Sequence, residues 1–447
     1  MRDIRRQWWA GRPGAFTRAA QWAAVITVIV LAGALTPFML PARSAVAAAA
    51  GCSTPVVHPA GPFTVQSDHR TIKDHNGNSF ISDGTTVPGL SSPTFSAGPA
   101  NFVTTVVNEK DIPKIDATAG AWCGNTVRLQ VSQYNVTPDG STCDPGFLDQ
   151  ALAPEVREAE AKGLVAVIND NTESDSLANA EKDPTAATFT FWKCVDQHQE
   201  NWSGGVAYGQ DPQVIFDVFN EPRADACTGS GGHGPNGPYD MNLWRNGATF
   251  TGCGQQAVKY QGMDAVVYHV RQDGAQNLLW VQGPGNGNTL AGLVPASGTS
   301  YLVADSLNKV VYSIHHPYAS SATPANSTTW WNEFGYLIDH PAATGVAPVV
   351  AGEWTNFTAA TLSNPYCWPD APTSVPAFLG YLQKLGVGLS AYQLSGGYLL
   401  KVNASWTDTT NYTDQTWQSA YCTYTSGPRP PLLGAGADVL AWFQSQN

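Results

Sequence analysis

The sequence has few charged residues and is especially short of basic ones. Asp, Glu, Lys and Arg make up 13% of the 447 residues, and 23 Lys and Arg stand against 35 Asp and Glu. Residues 1–50 hold six of the basic residues and one acid, which leaves 17 basic and 34 acidic residues, a net charge of −17. Such a surface repels nucleic acid and anionic membranes. We therefore expect neither as a partner, and a neutral substrate instead.

The sequence also lacks the C-x-x-C spacing of a zinc site, although it contains eight cysteines. All eight follow the N-terminal segment, and an even number in an exported chain is typical of disulfides. We expect no metal ion and no other cofactor. Close spacing along the chain favours the pairs Cys123–Cys143, Cys227–Cys253 and Cys367–Cys422, which leaves Cys52 with Cys194.

The N-terminal segment differs from the rest of the chain. Five arginines precede an apolar stretch at residues 22–40, and an Ala-rich sequence continues to Ala50. A basic head, an apolar middle and small residues in an A-x-A pattern are typical of a secretory signal peptide. We predict a signal and cleavage region at residues 1–50, cut between Ala45 and Ala50, and a secreted, extracellular protein. An uncleaved membrane anchor is the alternative, because the apolar stretch is nearly long enough to span a bilayer.

No Ser/Thr/Pro-rich linker divides the remaining chain. We therefore predict a single domain at residues 51–447, acting as a monomer. It is rich in tryptophan, with 15 in the whole sequence. Flat aromatic faces suit the apolar faces of sugars, although each tryptophan taken singly is more often a core residue.

Short apolar segments recur along the chain with helical or loop stretches between them. Eight such strands separated by crossover helices favour a (β/α)8 TIM barrel, with a doubly wound open sheet as the alternative. Before the first strand, residues 63–80 surround Asn76-Gly77, a turn signal that predicts an N-terminal β-hairpin. The predicted strands are residues 87–90, 126–131, 164–168, 214–219, 278–281, 310–314, 348–351 and 387–392.

Four segments between the strands have helical patterns that end near glycine or close the chain: residues 154–162, 255–272, 375–385 and 437–443. Three long insertions leave from predicted strand ends: residues 223–254, 355–376 and 401–431. Loops at these ends build the binding face of such barrels. We expect disulfide-bearing loops on that face.

The fourth predicted strand, V-I-F-D-V-F, ends in Asn220-Glu221-Pro222. Asp217 is the one polar interruption in it. Pro222 lacks the N–H that the next ladder bond needs, so Glu221 is expected at the carboxyl end of the strand. In a (β/α)8 barrel that end carries the chemistry.

A second carboxylate, Glu353, follows the seventh predicted strand in P-V-V-A-G-E-W. Two glutamates on different strands at one barrel face can meet across a bound sugar. Glycoside hydrolysis requires such a pair, because one acid protonates the leaving oxygen while one carboxylate attacks the anomeric carbon or activates water. For either residue alone, a surface glutamate at a strand end is the simpler interpretation.

At these positions the chain resembles the cellulase-like glycoside hydrolases of family 5, in the retaining (β/α)8 clan. The resemblance extends from residue 87 to about residue 397. Arg128 in N-T-V-R-L matches the family's arginine beside the nucleophile. Asn220-Glu221 matches the Asn and acid/base pair, His316-Pro317-Tyr318 matches the His-x-Tyr after strand six, and Glu353 matches the nucleophile.

The resemblance implies a role for each residue. Arg128 and the Tyr318 hydroxyl would hydrogen-bond Glu353 and keep it ionised. Glu221 would have a raised pKa as the acid, and Asn220 would bind the sugar 2-hydroxyl. His316 would bind substrate or orient Glu221, with a core-packed histidine as the alternative. His315 points the other way if this segment is extended, so the two histidines are not expected to chelate one metal ion.

Two positions depart from the family pattern. Asn171 stands where many members have a substrate-binding histidine. After strand eight, where the family has a tryptophan beneath the sugar, Tyr392 is the nearest aromatic residue. Further candidates for stacking on sugar rings are Trp354 beside Glu353, and Trp122, Trp202, Trp330 and Trp331.

We therefore predict an exported retaining glycosidase that cleaves a β-linked glucan by double displacement, with endo-β-1,4-glucanase as the first choice. A β-mannanase or a β-1,3-glucan hydrolase is next, because family members share the catalytic set and differ in cleft loops. A non-catalytic carbohydrate-binding protein on a degenerate barrel is the alternative from another class. A membrane-anchored structural protein would require the N-terminal segment to stay uncleaved.

Overall fold

The computed structural model describes most of the chain after the N-terminal segment. All residues considered below belong to one unit, Ala49–Asn447. The prediction that residues 1–50 are a signal region lies outside the described residues. Those residues are 52, 58–91, 99–172, 182–199, 206–224, 240–250, 258–295, 300–315, 326–339, 347–355, 357–358, 366–367, 371–396, 398–402, 407–412 and 435–446.

The strands form a closed barrel and four small two-stranded sheets. The barrel order is β3-β4-β5-β6-β9-β10-β11-β14, and its closure pairs β14 with β3 in parallel. The predicted TIM barrel is therefore confirmed, and the open doubly wound sheet is wrong. In chain order the strands are β1 Thr64–Val65, β2 Ile72–Lys73, β3 Asp83–Val87, β4 Thr126–Ser132, β5 Val165–Asn171, β6 Val214–Asp217, β7 Gly247–Phe250, β8 Val258–Gln261, β9 Leu279–Gln282, β10 Val310–Ile314, β11 Val349–Trp354, β12 Phe357–Thr358, β13 Tyr366–Cys367, β14 Gly388–Ala391, β15 Leu400–Val402 and β16 Asp408–Tyr412.

The first barrel strand lies earlier than predicted, because residues 87–90 mostly form a short 3₁₀ turn after it. Polar residues in β3 hid the strand from a search for apolar segments. The two threonines among them have partners inside the protein: the hydroxyls of Thr85 and Thr118 lie 2.6 Å apart, and those of Thr86 and Ser390 lie 2.9 Å apart. A buried strand therefore tolerates polar side chains where a partner is supplied.

The N-terminal hairpin closes the lower end of the barrel, where the amino ends of its strands lie. Strands β1 and β2 pair antiparallel, and the rings of Phe63 and Phe80 stack with centroids 4.3 Å apart. These rings join the inward-facing side chains of the barrel, among them Val167, Trp280 and Val350, in one apolar cluster. The hairpin is confirmed, but the Asn76-Gly77 turn follows β2 instead of joining β1 to β2. With the axis closed at this end, a site inside the barrel belongs at the other end.

Helices cover the outside of the barrel and form the larger apolar core with the outward faces of the strands. All four predicted helices are present with shifted bounds. Much of the three insertions lies outside the described residues. The helices are α1 Pro99–Phe102, α2 Ile112–Ala119, α3 Gln133–Val136, α4 Pro145–Phe147, α5 Ala153–Ala161, α6 Ala186–Asp196, α7 Met241–Asn246, α8 Met263–Asp273, α9 Ser327–Glu333, α10 Ala371–Leu385 and α11 Gly436–Gln446.

Two disulfides join described cysteines, Cys52–Cys123 and Cys143–Cys194. The predicted pairs Cys123–Cys143 and Cys52–Cys194 are therefore wrong. Cys123 lies just before β4, whereas Cys143 lies eleven residues after it, beside Cys194 in the last turn of α6. Closeness in sequence failed here because a strand separates its flanks. Of the other two predicted pairs, Cys227, Cys253 and Cys422 lie outside the described residues.

Within the described part of the chain, no helix combines the length and the apolar character needed to cross a bilayer. The apolar stretch at residues 22–40 is not among those residues, so the choice between signal peptide and anchor stays a prediction.

Replacing Asp196 with Asn is expected to stabilise the fold at alkaline pH only. Burial, together with the charge of Asp273, raises the pKa of Asp196 to about 7 in the folded state. Folding therefore takes up a proton between about pH 4 and pH 7, and stability falls as pH rises through that range. Asp196→Asn should raise the free energy of unfolding by about 1–3 kcal/mol at pH 8 and change little at pH 4. Thermal unfolding at both pH values tests this; an equal effect at both would contradict it.

Candidate active site

Polar side chains converge inside the upper mouth of the barrel, at the carboxyl ends of its strands. Alternation along β4 places Arg128 and Gln130 on its inward face, and alternation along β6 does the same for Asp217. All three are almost completely buried. A buried guanidinium requires counter-charges, and the neighbouring strands supply them.

Arg128 donates hydrogen bonds to three different side chains. Its Nε lies 2.8 Å from Asp217 Oδ2, its Nη1 2.7 Å from Glu353 Oε2 and its Nη2 2.7 Å from Asn220 Oδ1. Burial alone would lower the pKa of Arg128, but Asp217 and Glu353 together raise it above its ordinary value. The guanidinium therefore stays charged and fixes the ends of three strands relative to one another.

Glu353 faces the barrel interior because β11 contains a β-bulge. Ala351 pairs with Leu389 and Trp354 pairs with Ala391, so three steps along β11 match two along β14. Without the extra residue, Glu353 would share the outward face of Ala351. The bulge turns Glu353 inward, where its Oε2 accepts from Arg128 and, at 2.7 Å, from Gln130 Nε2.

The same bulge turns Trp354 outward. Its indole is 1% exposed and stacks on Phe378 of α10, with ring centroids 5.3 Å apart. The prediction that Trp354 stacks on a sugar is therefore wrong. Trp122 and Trp330 are also buried, at 1% and 3% exposed, and Trp202 lies outside the described residues.

The loop after β6 presents Asn220 and Glu221 at the mouth. Trp192 Nε1 donates to Val218 O at 2.8 Å, and the N–H of Asn220 donates to Asp170 O at 2.8 Å. Glu221 has φ +50°, a left-handed conformation that few residues other than glycine adopt. Such backbone strain persists where the surroundings hold it, and it is common at active sites.

Gln282 of β9 holds Glu221 in that conformation. Its Oε1 accepts from the N–H of Glu221 at 2.7 Å, while its Nε2 lies 2.9 Å from both carboxylate oxygens of Asp217. Trp244 Nε1 in turn donates to the backbone oxygen of Gln282 at 3.0 Å. Asp217 thus links the guanidinium of Arg128 to the backbone of Glu221.

His315 contacts the side chain of Glu221. Its Nδ1 lies 3.0 Å from Glu221 Oε1, and the ring is fully buried. Burial lowers the pKa of His315 to about 4, against the opposing effect of Glu353. The imidazole is therefore neutral near neutral pH, and its contact with Glu221 is a hydrogen bond between a neutral ring and a carboxyl group.

Three side chains meet in the mouth, those of Glu221, His315 and Glu353. One oxygen of each carboxyl group and one ring nitrogen of the histidine all lie within 4.8 Å of one another. An oxygen of each carboxyl group therefore lies within reach of a single sugar ring. Retaining glycosidases have carboxyl groups about 5–5.5 Å apart, whereas inverting enzymes separate them by about 6.5–9.5 Å. Imidazole and carboxylate donors also suit a divalent cation, although the charge of Arg128 beside Glu353 opposes one.

Other predicted site residues are placed less completely. Asn171 ends β5 on the inward face and is buried. Tyr392 follows β14, is partly exposed, and has its ring 5.2 Å from that of Tyr398. Their roles in binding stay predictions. His316 and Tyr318 lie outside the described residues.

Sequence analysis did not assign a role to four residues of this network: Gln130, Asp217, Gln282 and His315. Two had a signal. Asp217 is the polar interruption in an otherwise apolar strand, and Gln130 lies two residues after Arg128, on the same face of β4. Gln282 ends the apolar strand β9 and His315 follows the apolar strand β10. Neither position has an unusual sequence, and only the contacts of these side chains show that they belong to the site.

Residues 82–396 match the sequence model of the family described as Cellulase (glycosyl hydrolase family 5). No curated protein sequence matches the chain.

Several solved structures resemble it, although their similarity is low. A β-mannanase from Streptomyces thermolilacinus is 18% identical, with 87% of this chain and 96% of that one covered and a TM-score of 0.47. A variant of the endo-β-1,4-glucanase from Xanthomonas axonopodis pv. citri is 15% identical, with 75% of this chain and 90% of that one covered and a TM-score of 0.46. A cellulase from an Icelandic hot spring isolate is 14% identical, with 88% of this chain and 97% of that one covered and a TM-score of 0.48. Because the family model covers more than half of the chain, this protein belongs to glycosyl hydrolase family 5.

Proposed function

We propose that this glycoside hydrolase is an exported, retaining endo-β-1,4-glucanase whose catalytic pair is Glu221 and Glu353. The observation that carries the retaining mechanism is the placement of the two carboxyl groups, with oxygens within 4.8 Å of each other in one mouth of the barrel. This gap leaves no room for a water molecule between sugar and base, as an inverting mechanism needs. Two disulfides support export, because they persist in oxidising compartments.

In the first step, an oxygen of Glu353 attacks the anomeric carbon and forms a glycosyl ester. The glycosidic bond breaks, and its electron pair goes to the leaving oxygen, which takes the proton of Glu221. Because Arg128 and Gln130 both donate to Oε2 of Glu353, we assign the attack to Oε1. In the second step, water attacks the same carbon, Glu221 takes its proton, and the ester bond breaks to restore Glu353.

The surrounding network orients this pair. A neutral His315 can accept a hydrogen bond from protonated Glu221 at Nδ1 and donate one to the same oxygen after ionisation, if its own proton shifts to that nitrogen. Gln282 and Asp217 hold the Glu221 backbone relative to Arg128. Arg128 donates to Oδ1 of Asn220, and we infer that Asn220 binds the sugar 2-hydroxyl.

A panel of polysaccharides tests the substrate. Purified protein should release reducing sugar fastest from a soluble cellulose derivative, with mannan, xylan and laminarin as the other arms. Faster release from mannan or laminarin would replace the proposed substrate but keep the reaction. Release from none of the four would overturn the β-glycanase proposal. Proton NMR of the first product separates the mechanisms, because only retention gives the β-anomer initially.

Gln130→Met should lower kcat about 10- to 100-fold, because a hydrogen bond to a charged group contributes about 1.5–3 kcal/mol. Methionine keeps the size of the side chain but removes the donor to Glu353. Gln133→Met is the matched control, since Gln133 donates to Asp170 and Thr188 and does not contact Glu353. Kinetics on the soluble substrate, with thermal unfolding of both variants, provide the measurement. A kcat loss equal to that of the control would contradict the role of Gln130.

A further inference from the structure

A single tryptophan lies outward on helix α9, far from the catalytic mouth. Trp331 is 40% exposed, whereas its neighbour Trp330 is 3% exposed and packs against Phe378 and Tyr381. The side chain of Asn326 caps the helix by accepting from the N–H groups of residues 328 and 329. The buried neighbour and the cap hold α9 in place, and the ring of Tyr336 meets Trp331 edge-on at 6.1 Å. The indole is therefore a fixed aromatic surface.

Trp331 forms one wall of a cavity of about 290 Å³ between α9 and the end of α10. The rest of the lining provides hydroxyls, one acid and one base, so its formal charge is zero. This cavity shares Asp339, Lys384 and Leu385 with a second cavity of about 520 Å³, whose lining also includes Arg70 of the N-terminal hairpin. The two cavities together are called the groove below. The lining residues of the first are Ser327, Thr328, Trp331, Asp339, Tyr381, Lys384 and Leu385.

This groove lies at the lower end of the barrel. Its lining residues Leu385 and Gly386 come before β14, and its lining residue Val349 begins β11, whereas Glu353 lies near the far end of β11. A strand of six residues spans roughly 20 Å. A ligand in the groove therefore does not occupy the catalytic mouth.

The chemistry of the groove selects its ligand. A flat indole face suits the apolar face of a pyranose ring, and the hydroxyl, carboxylate and ammonium groups beside it suit sugar hydroxyls. A polyanion would meet the acidic excess of the protein, a net charge of −17 after residue 50. The two cavities are adjacent, because they share three lining residues, and together they offer room for more than one sugar unit.

We propose that this groove binds a segment of neutral β-glucan outside the active site and so holds the enzyme on its insoluble substrate. The proposal rests on the proposed function for the identity of the glycan. It assigns the groove to polysaccharide retention and gives it no part in bond cleavage.

Adsorption to insoluble cellulose tests the proposal, with the full-length mature protein carrying Glu353→Gln so that the matrix is not consumed. Trp331→Ala should weaken adsorption about tenfold, and Trp331→Phe should keep most of it, because a ring remains. Tyr268→Ala is the control, since Tyr268 is 59% exposed on α8 and does not line the groove. Unchanged adsorption of Trp331→Ala, or an equal loss in the Tyr268 variant, would overturn the proposal.

A kinetic comparison separates this proposal from the proposed function. With Glu353 intact, Trp331→Ala should hydrolyse soluble cello-oligosaccharides within about twofold of the parent and insoluble cellulose several-fold more slowly. An equal loss on both substrates would overturn the retention role. If the parent cleaves no cellulose-type substrate, the proposed substrate fails, and adsorption to mannan and laminarin then decides whether the groove binds a glycan.

Discussion

Replacing Glu353 with alanine is expected to lower kcat on the soluble polysaccharide at least about a thousandfold. The variant loses the atom that forms the covalent bond to the sugar and leaves Arg128 and Gln130 without their shared acceptor. Azide should restore part of the activity on an activated aryl glycoside, because the small anion fits the space of the missing carboxylate. The product should be the α-glycosyl azide, since a single displacement inverts the β-substrate.

The acid variant Glu221→Ala provides the complementary result. It should still form the glycosyl ester from substrates with good leaving groups, and azide should then give the β-glycosyl azide by two inversions. Glu109→Gln is the matched control, an exposed helical glutamate expected to leave kcat unchanged. If Glu221→Gln and Glu353→Gln each retained activity within tenfold of the parent, the catalytic assignment would be wrong.

Exchanging Arg128 for lysine is expected to produce the second large effect. Lysine keeps the charge but cannot reach three acceptors in one plane, so at least one of Asp217, Asn220 and Glu353 loses its hydrogen bond to residue 128. We expect kcat/KM to fall at least about a hundredfold and the free energy of unfolding to fall by about 2–4 kcal/mol, because a buried charge is left without compensation.

Arg271→Lys is the control for Arg128→Lys. Arg271 forms a nearly buried pair with Asp305 on the outer helix layer, with Nε and Nη2 at 2.7 and 3.1 Å from its two oxygens. Its exchange should cost comparable stability with kcat within about threefold of the parent. If Arg128→Lys kept kcat/KM within tenfold of the parent at a temperature where it is folded, the proposed role of Arg128 would be wrong.

The barrel was predictable because most of its strands contain runs of apolar residues, as strands covered on both faces do. The first strand, β3, was misplaced because it contains Asp83, Gly84, Thr85 and Thr86; the hydroxyls of the two threonines pair with those of Thr118 and Ser390, which are distant in sequence. Local composition contains no information on such partners. The disulfide pairs were missed for a similar reason, since the cysteines pair across separations of 71 and 51 positions instead of with their neighbours in sequence.

The candidate site was predictable in its residues but not in its connections. Glu221 and Glu353 stand out because each ends an apolar segment at the expected barrel face. Strict alternation along β11, however, would turn Glu353 outward, and only the bulge pairing shows why it faces Arg128. The role of orienting Glu221, which was expected of His316, has a candidate in His315, which directly follows β10 and contacts Glu221 two residues after the inward-facing Ser313. A shift of one position along the chain therefore decides both whether Glu353 faces inward and which histidine contacts Glu221.

The hairpin that fills the lower end of the barrel also constrains the path of the substrate. Phe63 and Phe80 block the axis, so a polymer cannot thread through the barrel and emerge below. The polysaccharide chain must instead lie across the open end of the barrel, perpendicular to its axis, and both fragments leave along that direction after cleavage. This geometry is compatible with attack at internal bonds, far from either chain terminus.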